Sequence, residues 1–578
     1  MIARADSFAV KDFFAAPPRR EAVVAFVVAA VSVYLMFVNL DYVTLWHDEG
    51  ANAIMSASLA RDGTLSAWDG RNLYFGIRGG EEYFGITEDL NFAYPPWSGV
   101  PSALGILFFG GGEFALRFPH AFLGALSLPV LYFLLRLNFP ARPRLRLLAF
   151  AMFALSPIVI LYMRQGRYYP DAVLFTLLAF YCYQRFWRDG GVPWLCGLSF
   201  FTVLNFLNHF GGGFSAAAAT AAWHVIYFRR ETSPRQWLQF AAAGFAAAAA
   251  CGGYLFAAKI VGGEISLEYD AGFYEFSWAK RHAYLMFYYF RDLIRTGWLP
   301  LWVALWWIWF AARGFSPPPP LNKGCKKRAG PARRIFEDDN AVRRWGTMTA
   351  LLTAGTSLVS VQTAVSHTLA DMRYMVVALP FALFMSAACV DWIWAKHKIA
   401  GGAAFALLLF SNIAGFPLLV QGTLCNGDLF ANYSVAEKFP LPMLAREIHR
   451  PYPSAIAETL SYLRANAAQD DTIIVRPPPD SAVLMYYLSD RMIFCCGLSP
   501  DASLPEEKIR ALGAPIYEGD AEPKWIVDMN MTKLPDGYRR VYTGEVFSYP
   551  AHRPELEFHC LTQSPIPNYV NIFRREDS

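Results

Sequence analysis

The sequence predicts a mainly α-helical, polytopic membrane bundle of about eleven spans, with a small C-terminal extracytoplasmic α/β domain. Three observations point there. Of 578 residues, 55% are hydrophobic and only 17% are charged, against about 25% charged in soluble domains. Apolar runs recur at about 20 residues, the length that crosses a bilayer. Basic residues gather in alternate connections between those runs, as they do in cytoplasmic loops. The formal net charge of +4 says less than that placement.

The spans fall near residues 21–40, 114–136, 146–163, 171–187, 193–209, 212–228, 237–260, 285–312, 346–366, 373–395 and 400–421. The first is too long for a signal core and has no small-residue cleavage site, so it reads as a retained span. Arg142, Arg144 and Arg146 mark one cytoplasmic connection, as do Arg185 with Arg188, Arg229 with Arg230 and Arg235, and Lys396 with Lys398. The longest, 313–345, carries Lys323, Lys326, Lys327, Arg328, Arg333 and Arg334 behind a proline run that suits a semi-rigid linker. With Arg19 and Arg20 they put the N-terminus in the cytoplasm. An odd number of spans then leaves the C-terminus outside. The stretch 99–109 is apolar but too short to span, and is expected to dip into the membrane or lie at its interface.

On this reading residues 1–423 form the membrane module and 424–578 the outer domain. The first outer loop, 41–96, is long, aromatic and acidic, and its 51–60 stretch suits an interfacial helix. A second outer loop, 262–284, shares that composition. Past residue 424 the pattern suggests helices at 456–466, 481–488 and 505–512. Strands are expected at 472–475, 492–496, 525–528 and 569–573. No glycine-rich phosphate loop is present there, so a nucleotide site is not expected. Of nine cysteines, Cys182, Cys196, Cys251 and Cys389 lie in apolar spans and Cys325 in the basic loop. Cys425, Cys495, Cys496 and Cys560 lie in the outer region, where one disulfide is compatible with the compartment and spacing does not choose the pairing.

Candidate chemistry collects at the outer ends of spans. Leu45-Trp46-His47-Asp48-Glu49-Gly50 sets two adjacent acids just beyond the first span. Charge beside hydrocarbon is expensive, which marks Asp48 and Glu49 as functional candidates. The short connection before the fourth span holds Arg164, Arg167, Tyr168 and Asp171. Two arginines on the outer side break the positive-inside trend, and guanidinium forks suit a lipid phosphate at that depth. Asp171 follows Pro170 at a helix start, where it can cap the helix or ligate a cation. Arg373 and His367 flank the entrance of the tenth span, and His209 ends the fifth. Adjacent residues point in different directions, so Asp48 and Glu49 are not expected to share one role.

The order of these motifs resembles the GT-C fold glycosyltransferases of the protein O-mannosyltransferase and lipid A aminoarabinose transferase type. The matching pieces are Asp48-Glu49, Tyr94-Pro95-Pro96, the run from Glu113 to Pro119, Ser156-Pro157 through Arg164, Arg167 and Tyr168, His209-Phe210-Gly211, and Arg373-Tyr374 with Pro380. Gly50-Ala51-Asn52 departs from the aromatic or alanine-rich tail of the family's first motif. The resemblance implies a family-39-like transferase in a bacterial inner membrane. It would move a monosaccharide from a polyprenyl-phosphate donor to an envelope glycan, lipid or protein, with inversion. It assigns Asp48 as the base, with Glu49 and Asp171 as further catalytic candidates. Arg164, Arg167 and Arg373 would hold the donor phosphate, and Tyr94, Tyr168, His209 and His367 would line the substrate site. It leaves room for a divalent cation (magnesium, manganese or zinc) on Asp48 and Asp171, and calls for no nucleic acid. A transporter or flippase of a lipid-linked sugar is the alternative. Transporters often show internal repeats and charges near the bilayer midplane, whereas this chain shows no repeat and places its charges at span ends.

Overall fold

The computed structural model describes residues 18–74, 77–78, 82–83, 91–92, 94–258, 278–295, 299–313, 340–359, 372–411, 440–449, 455–476, 481–494, 523–528, 536–546 and 568–576. His367, the outer-region cysteines, the predicted 505–512 helix and most of the 262–284 and 313–345 loops lie outside these residues. Helices occupy every predicted span. Among the described residues four are long and apolar enough to cross a membrane alone: Arg19–Phe37 (α1), Glu113–Asn138, Pro234–Ala257, and Arg373–Lys396, which joins a 3-10 turn to a helix. The other predicted spans coincide with shorter or less apolar helices.

Prolines set the breaks. The third predicted span is two helices, Pro143–Ala154 and Pro157–Met163, bent by 54°, because Pro157 withholds an N–H and disfavours helix at Ser156. The predicted 285–312 span is likewise two helices, Trp278–Arg295 and Leu301–Arg313, the second beginning just after Pro300. Between helices Val192–Asn208 and Phe210–Phe228 the chain turns at His209, whose extended backbone (φ −156°) lets its side chain cap the next helix.

Two apolar cores organise the molecule. The larger fills the helical bundle around Phe153, Tyr162, Tyr169, Phe180, Trp223 and Trp345. The second takes in the C-terminal part of the chain, over a five-stranded sheet of order β4-β3-β5-β7-β6. Here β3 is Thr472–Arg476, β4 Met492–Phe494, β5 Trp525–Asp528, β6 Tyr538–Val546 and β7 Asn568–Arg575. β3 pairs in parallel with β4 and β5, while β7 runs antiparallel to β5 and β6. A further two-stranded pair lies in the first outer loop, where β1 is Ile77–Arg78 and β2 is Glu82–Tyr83.

This second core also takes in helix α2, His47–Asp62, which opens the first outer loop. Ala51, Asn52, Ala53, Ile54, Met55 and Ser56 are all at most 3% exposed. The helix predicted for 51–60 is thus packed into this second core and is not the open interfacial helix expected from the sequence. Gly50 makes this contact close. A Cβ on it would sit 2.8 Å from Val483 N and 2.9 Å from Val483 Cα, backbone atoms of helix α3, Ser481–Tyr487. Tyr487 clamps the same junction, accepting from Leu45 N–H at 3.1 Å and donating to Glu113 at 2.5 Å. The glycine that departs from the resembled motif therefore has a packing reason. Gly50→Ala is expected to cost about 1–3 kcal/mol through overpacking. Thermal unfolding in detergent would show it as a lowered midpoint, and an unchanged midpoint would mean α3 can shift freely.

Candidate active site

Asp48 sits in the first turn of α2, where the helix N-terminus favours a carboxylate. One of its oxygens, Oδ2, accepts from Arg167 Nη2 at 3.3 Å and from Arg373 Nη1. The three side chains keep only 17%, 14% and 10% of their exposure, in that order. Residues brought from three parts of the chain thus make one compact charge cluster.

An aromatic stack holds the two arginines. Arg167 lies over the Tyr168 ring at 5.4 Å, and Arg373 over the Tyr374 ring at 5.3 Å. Between the tyrosines stands His209, stacked on Tyr168 at 4.1 Å with 6° between planes, and on Tyr374 at 5.7 Å with 8°. The circuit runs Asp48, Arg167, Tyr168, His209, Tyr374, Arg373 and back to Asp48. Trp46, buried to 1%, faces Arg373 at 5.9 Å and donates to Gln165 at 3.0 Å.

Electrostatics follow from this packing. His209 Nδ1 accepts from Gly212 N–H at 2.9 Å, so a neutral ring carries its proton on Nε2. With Nδ1 unprotonated, His209 adds no charge between Arg167 and Arg373. Burial raises the Tyr168 hydroxyl, which stays protonated and has no hydrogen-bond partner among the described residues. Tyr94 is raised by burial too; it lies within the fields of Arg167 and Asp48 and hydrogen-bonds Tyr74. Burial pulls the Arg167 guanidinium down, but Asp48 together with Tyr169, Tyr168 and Tyr94 more than reverses this, so Arg167 holds its proton firmly.

The structure brings together Asp48, Arg167, Arg373, Tyr94, Tyr168 and His209. It turns the other candidates elsewhere. Glu49, 2% exposed, takes both of its oxygens to Arg117 at 2.9 and 2.6 Å. Arg117 also donates to the carbonyls of Leu40 and Val43, and Glu49 accepts from Gly166 N–H at 2.8 Å. Glu49 therefore anchors the segment that presents Arg167. Arg164 gives its guanidinium to the carbonyls of Leu35, Met36, Val38 and Asn39 at 2.7 to 3.2 Å. It satisfies acceptors that the end of α1 leaves open. Asp171 is fully buried, with Oδ1 3.1 Å from His120 Nδ1, and His120 Nε2 lies 3.0 Å from Ser102. Asp48 and Asp171 thus have different partners, and among the described residues no group of three His, Cys, Asp or Glu could hold a metal ion. Trp46, Tyr374, Arg117 and His120 were not singled out as site residues. Tyr374 was legible in principle, since it adjoins Arg373 and an aromatic beside an outward arginine invites stacking.

Comparison with known proteins fits this geometry. A model of the dolichyl-phosphate-mannose-protein mannosyltransferase family matches residues 94–252, the stretch that carries Tyr94, Arg167, Tyr168 and His209. No curated protein matches the chain. The structure is similar to ArnT from Cupriavidus metallidurans in the apo state, with TM-score 0.52 and 15% identity over 87% of this chain and 92% of that one. It is similar also to the same protein bound to undecaprenyl phosphate, with TM-score 0.54 and 14% identity over 96% and 98%. The fold is the GT-C fold, the family model matches part of the chain, and the several long apolar helices fit a multi-pass membrane protein.

Proposed function

We propose that the chain moves a monosaccharide from a polyprenyl-phosphate donor to a hydroxyl of an extracytoplasmic acceptor, with inversion at the anomeric carbon. The observation that carries this reading is the single carboxylate of Asp48 facing the two guanidiniums of Arg167 and Arg373. A lipid phosphodiester leaves as a phosphate, which needs positive charge more than it needs a proton. Arg167 and Arg373 supply that charge. Asp48 takes the acceptor hydroxyl's proton as the oxygen attacks the anomeric carbon. The bond from that carbon to the phosphate oxygen breaks with its electron pair going to polyprenyl phosphate, and the proton stays on Asp48. One displacement inverts the centre. The free Tyr168 hydroxyl and neutral His209 suit contacts to sugar hydroxyls without adding charge. The undecaprenyl phosphate held by the similar ArnT structure supports a polyprenyl donor here.

The membrane is taken to be a bacterial inner membrane with the site on its outer side, an orientation supported by the alternation of basic loops. A reporter fused after Ser578 is then expected outside and one beside Lys326 inside; the reverse result would put the site in the cytoplasm. Arg167 and Arg164 separate chemistry from architecture. Arg167→Ala is expected to raise the donor KM by the loss of a charged hydrogen bond, about 1.5–3 kcal/mol, with little change in unfolding temperature. Arg164→Ala is expected to lower the unfolding temperature and leave donor KM nearly unchanged in the protein that stays folded. Interchanged effects would reverse the assignment. Mass spectrometry of envelope glycans and lipids tests the function in cells. Loss of a monosaccharide from one acceptor class is expected when the gene is removed, and an unchanged profile would contradict the proposal.

A further inference from the structure

We propose that Asp48 and the donor phosphate compete for the same two guanidiniums, so that the base stays masked until the donor is seated and the donor binds before the acceptor. This rests on the function proposed above. In the donor-free protein a single Asp48 oxygen receives both Arg167 and Arg373. A carboxylate held this way is a poor proton acceptor, since its lone pairs and charge are already engaged. The hold of Arg167 is nonetheless loose. Its contact with Asp48 is 3.3 Å long, and its buried Nε has no hydrogen-bond partner among the described residues. Arginine favours two parallel bonds to a phosphate, a geometry this contact does not use.

Charge accounting points the same way. Among the described residues, two arginines and one carboxylate leave the cluster with one positive charge in excess, because His209 between the tyrosines keeps Nδ1 as an acceptor and adds none. A phosphodiester carries one negative charge and brings the cluster to neutrality. Transfer keeps it there: Asp48 gains a proton while the departing phosphate becomes a monoester carrying nearly two negative charges. The stack of Tyr168, His209 and Tyr374 fixes the spacing of the two arginines throughout. Their guanidiniums therefore need only turn from carboxylate to phosphate.

The test is binding of undecaprenyl phosphate to the purified full chain in detergent, measured for four proteins. These are the wild type, Asp48→Asn, the Arg167→Ala/Arg373→Ala pair, and the triple variant. Competition predicts that Asp48→Asn binds the lipid about tenfold more tightly than wild type, because no ion pair has to be broken. It predicts that the same substitution gains little in the background lacking both arginines, a non-additivity that plain charge repulsion would not give. Equal or weaker binding by Asp48→Asn, or a full gain without the arginines, would overturn the competition while leaving the phosphate site standing. Binding that ignores the arginine pair altogether would instead remove the proposed function, and the competition with it.

Discussion

Asp48→Asn is expected to leave the protein folded and able to bind donor while lowering transfer by about 10²–10⁴-fold, the usual worth of a general base. Asparagine keeps the shape of the side chain, and Asp48 lies in the first turn of α2 without capping it, so the helix should persist. It cannot take a proton from the acceptor. Three acids lie close together in the sequence-based candidate set, and their partners now separate them. Asp171 is buried against His120, and Glu49 spends both oxygens on Arg117. Asp48 alone keeps contact with solvent beside the arginines that suit a phosphate. Initial rates with a polyprenyl-phosphate sugar, run beside a donor-binding assay, decide the matter. Near-normal transfer by the variant would reduce Asp48 to a structural partner of the two arginines.

Glu49→Gln is expected to fail differently, by loss of stability of about 3–5 kcal/mol, the cost of leaving a buried charge without its partner. Arg117 is 6% exposed, and it also ties the carbonyls of Leu40 and Val43 to the helix it stands on. Removing the Glu49 charge strands that guanidinium and loosens the turn between α1 and α2. The double variant Glu49→Gln/Arg117→Met should recover part of the loss, because an apolar pair avoids the desolvation of either ion. Thermal unfolding in detergent would report both. A Glu49→Gln protein of normal stability and no transfer would make Glu49 the base and displace Asp48 from that role.

The helices were legible because span length and proline breaks are local properties of sequence. The outer sheet was legible in part. β3 and β5 were expected from short apolar runs, whereas β6, Tyr538–Val546, was not, since its polar residues suit an edge strand whose place is fixed by pairing with β7. The site was legible as a set of residue types and illegible as a set of partners. Arg164 and Arg167 are three residues apart in the same connection. One ends on the open carbonyls of α1 and the other on Asp48, a choice set by the 54° bend at Pro157 and the approach of α1. Gly50 looked like a departure from a motif until Val483 was found against it. Long-range packing, which no local pattern encodes, made each of these distinctions.

On the proposed function, this chain breaks a polyprenyl-phosphate sugar at the anomeric carbon using Asp48 and two arginines. The most direct measurement follows a radiolabelled polyprenyl-phosphate monosaccharide with purified full-length protein and an envelope extract as acceptor, and separates lipid from product. Wild type is expected to move label into the acceptor fraction and to release polyprenyl phosphate in equal amount. Asp48→Asn and Arg167→Ala/Arg373→Ala should leave the label on the lipid. Label that stays on the lipid with wild type, or that moves equally well with Asp48→Asn, would contradict it.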